Sequence, residues 1–106
     1  MAWFYLALAA VFEVGFALSM KASNGFTVLW PSVITVVGIA GGFFFLALAL
    51  KSLPVSVGYP VWVGAGAVGT VIFGAIVFGE ALTLAKLGSV ALIVAGVVGL
   101  KLTTTT

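Results

Sequence analysis

No cysteine and no histidine occur in the 106 residues. Thiol redox chemistry, most transition-metal sites and histidine proton relays are thereby excluded. Charge is scarce as well. Two acidic and four basic side chains make up 6% of the chain, against about 25% in a typical soluble domain, and mean hydropathy is +1.44. The net charge of +2 comes from four scattered lysines, which form no basic patch and argue against nucleic acid as a partner. There is no GxxxxGK, no GxSxG and no paired-carboxylate spacing. The constellations that enzymes use on phosphates, esters or glycosides are therefore missing, and neither enzymatic activity nor a cofactor is expected.

What is present is apolar length. No charge lies between Lys21 and Lys51, or between Lys51 and Glu80, and each gap exceeds the roughly 20 residues needed to cross a hydrocarbon core. Residues 2–20 and 85–102 are shorter candidates, the last ending at Lys101, whose long stem can carry its charge to the headgroups. The sequence thus predicts an all-α membrane protein, residues 1–106 forming a single domain of four transmembrane helices at about 2–20, 31–50, 56–78 and 85–102, with 103–106 as a tail. Helices are required because lipid cannot satisfy an exposed backbone, and the runs lack the alternation of a membrane β-barrel. Pro31 is expected to open the second helix, where its missing N–H costs nothing. The stretches 21–27, 51–54 and 79–83 supply the turns through Asn24–Gly25, Pro54 and Gly79. The first span has no basic leader and is interrupted by Glu13, so it is expected to remain as a helix and not to be cleaved as a signal peptide.

Lysine placement normally sets orientation. Lys51 and Lys101 fall on the side of the N-terminus, Lys21 and Lys86 on the other. Two against two favours insertion in both orientations and pairing of opposite copies into an antiparallel homodimer; the alternative is one orientation chosen by a weaker signal. In the last span Ser89 and Gly96 lie two turns apart, beside Gly88, Ala95 and Gly99. Small residues of this kind allow close helix packing in lipid, either between copies or within one chain.

Glu13 is the one acidic residue within a span. Intramembrane ionisable groups are rare and mark ion, proton or substrate pathways; the plain alternative is a buried acid bonding two helices. Burial disfavours the charged form, so such a carboxyl can hold a proton and exchange it for an organic cation. Tyr59 and Trp62 are three apart and share a helical face. Ring faces attract desolvated cations, although the same pair would also suit an interfacial aromatic belt, as Trp3, Phe4, Tyr5 and Trp30 do. Pro60 precedes Gly64, Gly66 and Gly69, and this run reads either as a hinge in the third helix, centred on Gly64 and Gly66, or as a close-packing surface.

The blocks FEV around Glu13, SNGFTVLWPS (23–32), KSLPVSVGYPVWVGAGAVG (51–69), FGE (78–80) and LIVAGVVGLKL (92–102) resemble the small multidrug resistance transporter family across essentially the whole chain. The resemblance implies a multi-pass protein of the bacterial inner membrane, working as an antiparallel homodimer that exports organic cations in exchange for protons. It further implies that Glu13 binds proton and substrate and that Tyr59 and Trp62 line the pocket. VWVGAGAVGTVIFG and GLK are closer to the guanidinium-exporter branch. Where that branch usually has Gly, Trp, Ser, Ala and Thr, this chain has Ala10, Phe16, Gly42, Pro60 and Val63. The lost indole and hydroxyl imply a looser, more apolar pocket suited to quaternary ammonium, substituted guanidinium or other hydrophobic cations. The alternatives are a selective guanidinium exporter, a passive channel, or a non-transporting subunit of a heteromeric membrane complex.

Overall fold

The structure, a computed structural model, describes residues 1–103. It contains α1 (Ala2–Ala22), α2 (Leu29–Leu50), α3 (Val55–Phe78) and α4 (Leu84–Leu102). These run 21, 22, 24 and 19 residues, which at 1.5 Å per residue gives about 28 to 36 Å. All four are long and apolar enough to cross a membrane. The protein is an all-α, four-span membrane protein. Most of the expected tail, 104–106, lies outside the described residues.

The ends differ from the sequence ranges by at most two residues, for local reasons. α1 continues to Ala22 because Ser23 closes it: the buried Ser23 hydroxyl donates to the Met20 carbonyl at 2.6 Å and accepts from the Phe26 amide at 3.0 Å. The chain then turns through Asn24, Gly25 and Phe26, all at positive φ, the left-handed region in which glycine and asparagine are least strained. α2 begins at Leu29, so Pro31 stands third in the helix and not first. The whole first turn lacks intrahelical acceptors for its N–H groups, and proline is tolerated there equally. Pro54 opens α3 from an extended backbone, and Gly79 closes it in the left-handed conformation. Thr83 starts α4, its hydroxyl accepting from the Lys86 amide at 3.1 Å.

α1 is the central helix, packed against both α2 and α3. Toward α2 the fit is aromatic ring against glycine: a Cβ placed on Gly38 would meet the Phe16 Cβ at 2.9 Å, and one on Gly41 would meet the Phe12 ring at 2.7 Å. Toward α3, Ala9 faces Trp62, Glu13 faces Gly66 and Val14 faces Gly69, so α1 and α3 run parallel. The buried core gathers Leu6, Ala9, Leu46, Ala49, Leu53, Val57, Val61 and Trp62. Thr35 is fully buried yet satisfied, its hydroxyl donating to the Pro31 carbonyl one turn back at 2.7 Å. α4 touches α3 and, among the described residues, buries none of its own. The result is a slab of 43 × 33 × 16 Å.

Both ends of α1 carry a lysine contact. At the N-terminal end the Lys101 ammonium lies 5.3 Å from the centre of the Trp3 ring. At the other end Lys21 pairs with Glu80 in the α3–α4 turn and lies 5.1 Å over the Phe78 ring. Hydrogen bonding and the charge of Lys21 hold the Glu80 carboxyl below the usual carboxylate range, with a smaller contribution from the charge of Lys86.

Candidate functional site

Glu13 sits mid-way along α1, between helices that carry no charge: α2 and α3 contain no acidic or basic side chain, Tyr59 being the titratable group of α3. Its carboxyl lies against the backbone of Gly66, in the space that any Cβ at that position would occupy. Oε1 is buried and has no hydrogen-bond partner. In an apolar medium such an oxygen is unfavourable unless something arrives to satisfy it, and a proton or a cation would do so.

One turn before Gly66 on α3 stands Trp62. Its indole N–H donates to the Ala9 carbonyl at 3.0 Å. The Tyr59 ring meets it edge to face at 5.5 Å, and the Phe43 ring does the same from α2 at 5.1 Å. Only 3% of Trp62 is exposed, against 44% of Tyr59. Trp62 is therefore an interior residue of the α1–α3 seam, and Tyr59 presents the open ring. On the α2 side, a Cβ at Gly42 would touch the Phe12 Cβ at 3.3 Å and the Phe16 ring at 3.5 Å, so these three residues form a purely apolar flank. Ala10 is half-buried and lines a shallow groove of about 180 Å³ with Leu6, Val61 and Ala65. A larger apolar groove of about 360 Å³ between α1 and α2, bordered by Val11, Gly15 and Trp30, does not include Glu13.

The structure sets Glu13 against Gly66, with Trp62 one turn away on the same seam, Tyr59 against the Trp62 ring, and Phe16 and Gly42 on the neighbouring flank. It does not bring Gly64 to them: a Cβ there would meet Val97 at 2.6 Å and Ile93 at 3.3 Å, on the α4 side. Pro60 is exposed inside a helix that continues unbroken to Phe78. Ser89 and Gly96 lie on α4, with the Ser89 hydroxyl donating to the Ala85 carbonyl at 2.9 Å and nothing within 4 Å of a Cβ on Gly96. Sequence reasoning missed Phe43 and the Ala9 carbonyl. Neither carries a signal in the linear chain, because each matters only through the crossing of two helices. Among the described residues no cluster of acidic side chains could hold a metal ion.

A carboxyl with a buried, unpartnered oxygen, mid-way along a membrane-spanning helix, invites comparison with known membrane proteins. The sequence profile of a family described as Small Multidrug Resistance protein matches residues 1–93. The chain belongs to the small multidrug resistance family. Similar proteins include one named guanidinium exporter from Yersinia pseudotuberculosis, 50% identical over 102 residues, which cover 96% of this chain and 98% of the relative. Proteins of the same name from Escherichia coli K12 and Proteus vulgaris are 47% and 45% identical, over 98% and 96% of this chain and 99% and 98% of theirs. As a member of the small multidrug resistance family with four membrane-spanning helices, the protein is a transporter and not an enzyme, and is a multi-pass protein of the bacterial inner membrane.

Proposed function

We propose that the protein is a proton-coupled antiporter, exporting organic cations of the guanidinium class, and that proton and cation compete for Glu13. The observation that carries this reading is the buried Glu13 oxygen without a hydrogen-bond partner, held mid-membrane between uncharged helices. A carboxyl there is stable when protonated or when a cation neutralises it, and unfavourable otherwise. Alternate occupation by one or the other is exchange. The names of the relatives support guanidinium as the parent substrate. The apolar flank of Phe12, Phe16 and Gly42 supports extension to substituted guanidiniums, quaternary ammoniums and other hydrophobic cations, since no hydroxyl or indole stands there to orient a small planar ion.

The working unit is proposed to be an antiparallel homodimer. The slab is 16 Å in its shortest dimension and leaves Glu13 only half-buried, and a second copy would cover that open side. The bare stripe of Gly88, Ser89 and Gly96 on α4 is a surface suited to that packing. Tyr59 and Trp62 form the aromatic wall of the pocket, Tyr59 offering its ring to the cation. Pro60, Gly64 and Gly66 give α3 its place to bend as the cleft opens alternately to the two sides.

The test is cation binding by purified protein across a pH series, with guanidinium, phenylguanidinium and a tetraalkylammonium as ligands. Affinity should rise with pH while Glu13 loses its proton and then level off. Two Glu13 carboxyls in one cleft would titrate as a coupled pair. The Glu13→Gln variant, uncharged at every pH, should fold but bind none of the three. Binding that ignores pH, or that survives in Glu13→Gln, would remove Glu13 from the transport reaction.

A further inference from the structure

We propose that Trp62 is a positioning residue for Glu13, acting through its indole N–H on the backbone turn that carries the carboxylate. This rests on the exchange role proposed for Glu13. In α1 the Ala9 carbonyl is the acceptor for the Glu13 amide N–H, four residues on. The same carbonyl takes the Trp62 indole N–H at 3.0 Å. Trp62 thus grips the turn of α1 from which the Glu13 side chain springs.

A second contact fixes the register. Gly66, four residues beyond Trp62, receives the Glu13 carboxyl, four residues beyond Ala9. The offsets are identical (62 − 9 = 53 and 66 − 13 = 53), so α1 and α3 are pinned in parallel at two points one turn apart. The buried Glu13 oxygen has no hydrogen bond of its own. Its position is therefore set by the space at Gly66 and by the α1 backbone beneath it, and the Trp62–Ala9 bond holds that backbone to α3. An indole N–H released from Ala9 would be left unpaired in an apolar interior, which makes the bond persistent.

The covered ring points the same way. With 3% exposure and the edge-to-face neighbours Tyr59 and Phe43, Trp62 shows no open face within one chain. Tyr59 has one. The two aromatics of the pocket wall thus differ, Tyr59 by its exposed ring and Trp62 by its added bond to the α1 backbone.

The experiment replaces Trp62 with benzothienylalanine, in which sulfur takes the place of the N–H and the bicyclic ring keeps its size. Phenylguanidinium binding is then followed across pH, beside wild type, Trp62→Phe and Glu13→Gln. If the N–H positions Glu13, the sulfur isostere should bind about threefold to tenfold more weakly, the worth of one hydrogen bond. Its pH midpoint should also move by about half a unit, equivalent to a threefold change in proton competition. Trp62→Phe, which also keeps a ring and lacks the donor, should behave in the same way. Wild-type affinity and midpoint in the isostere would overturn the proposal. Hydrogen exchange at the wild-type indole provides an independent reading: the Trp62 N–H should exchange slowly with and without saturating phenylguanidinium, and fast exchange, or a signal that transfers to the ligand on binding, would also overturn it. Retention of pH-dependent binding by Glu13→Gln would instead mean that the exchange reading of Glu13 has failed. Loss of binding in Glu13→Gln with an unaffected isostere would remove the positioning role alone.

Discussion

At the scale of single residues, the site depends as much on a side chain that is missing as on one that is present. Glu13 was visible in the sequence as a lone carboxylate in a charge-free run, because the cost of ionisable groups in lipid makes such a residue conspicuous. Gly66 was visible only as one of several glycines, readable as hinge or packing. The structure gives it a specific task, since the Glu13 carboxyl occupies the volume that a Cβ would fill. Gly66→Ala should therefore destabilise the protein by about 1–3 kcal/mol, the usual cost of overpacking, and displace Glu13 from α3. Thermal unfolding in detergent together with cation binding would show both losses. Gly15→Ala, at a position where a Cβ meets nothing within 4 Å, should change neither. Equal behaviour of the two variants would mean that the Glu13 carboxyl does not depend on the space at Gly66.

At the scale of elements, four helices were legible from charge gaps and turn residues, but their faces were not. Each span is apolar nearly all round, as lipid-exposed helices can be, so periodicity gives little indication of which side meets a neighbour. The α1–α3 seam is closed at one end by Lys21 and Glu80, residues that the sequence places 59 positions apart. Lys21 lowers the Glu80 carboxyl below its ordinary range, so the pair stabilises the fold above the unpaired value of about 4.3. That contribution is lost as pH falls through the lower, paired value. Measured in the Glu13→Gln background to remove the other carboxyl, the melting temperature should drop on acidification below about pH 4. In Glu80→Gln it should start lower at neutral pH and stay flatter. In 1 M salt, where the screening length is about 3 Å, the difference between the two should shrink. Parallel acid profiles with and without Glu80 would mean that the pair contributes nothing measurable, as many exposed pairs do.

At the scale of the whole molecule, the slab shape and the lysine balance bear on assembly. Lys51 and Lys101 stand at the N-terminal end with Trp3, and Lys21 and Lys86 stand at the other. Without a majority of lysines at either end the positive-inside preference has little to act on. The chain should therefore insert in both orientations in comparable amounts. Because it has no cysteine, Ser52→Cys creates a single labelling site in the α2–α3 turn. Membrane-impermeant reagents applied from each side of the membrane should each label a large share of it. Labelling from one side alone would rule out the antiparallel homodimer.

The sequence by itself determined the medium, the number of spans, the turns and the one carboxylate with a reason to be functional. These follow from composition and spacing along the chain, which is where hydrophobic length and the cost of charge are written. Tertiary structure alone decided what lies against what: Gly66 under the Glu13 carboxyl, Phe43 against Trp62, the Trp62 N–H on the Ala9 carbonyl, and α4 left as the outer helix. The reason is physical. In lipid the apolar faces of the helices are equally well solvated, so no hydrophobic pattern selects the neighbours. Close packing of rings into glycine notches, and the few polar groups that must find a partner, make the selection instead.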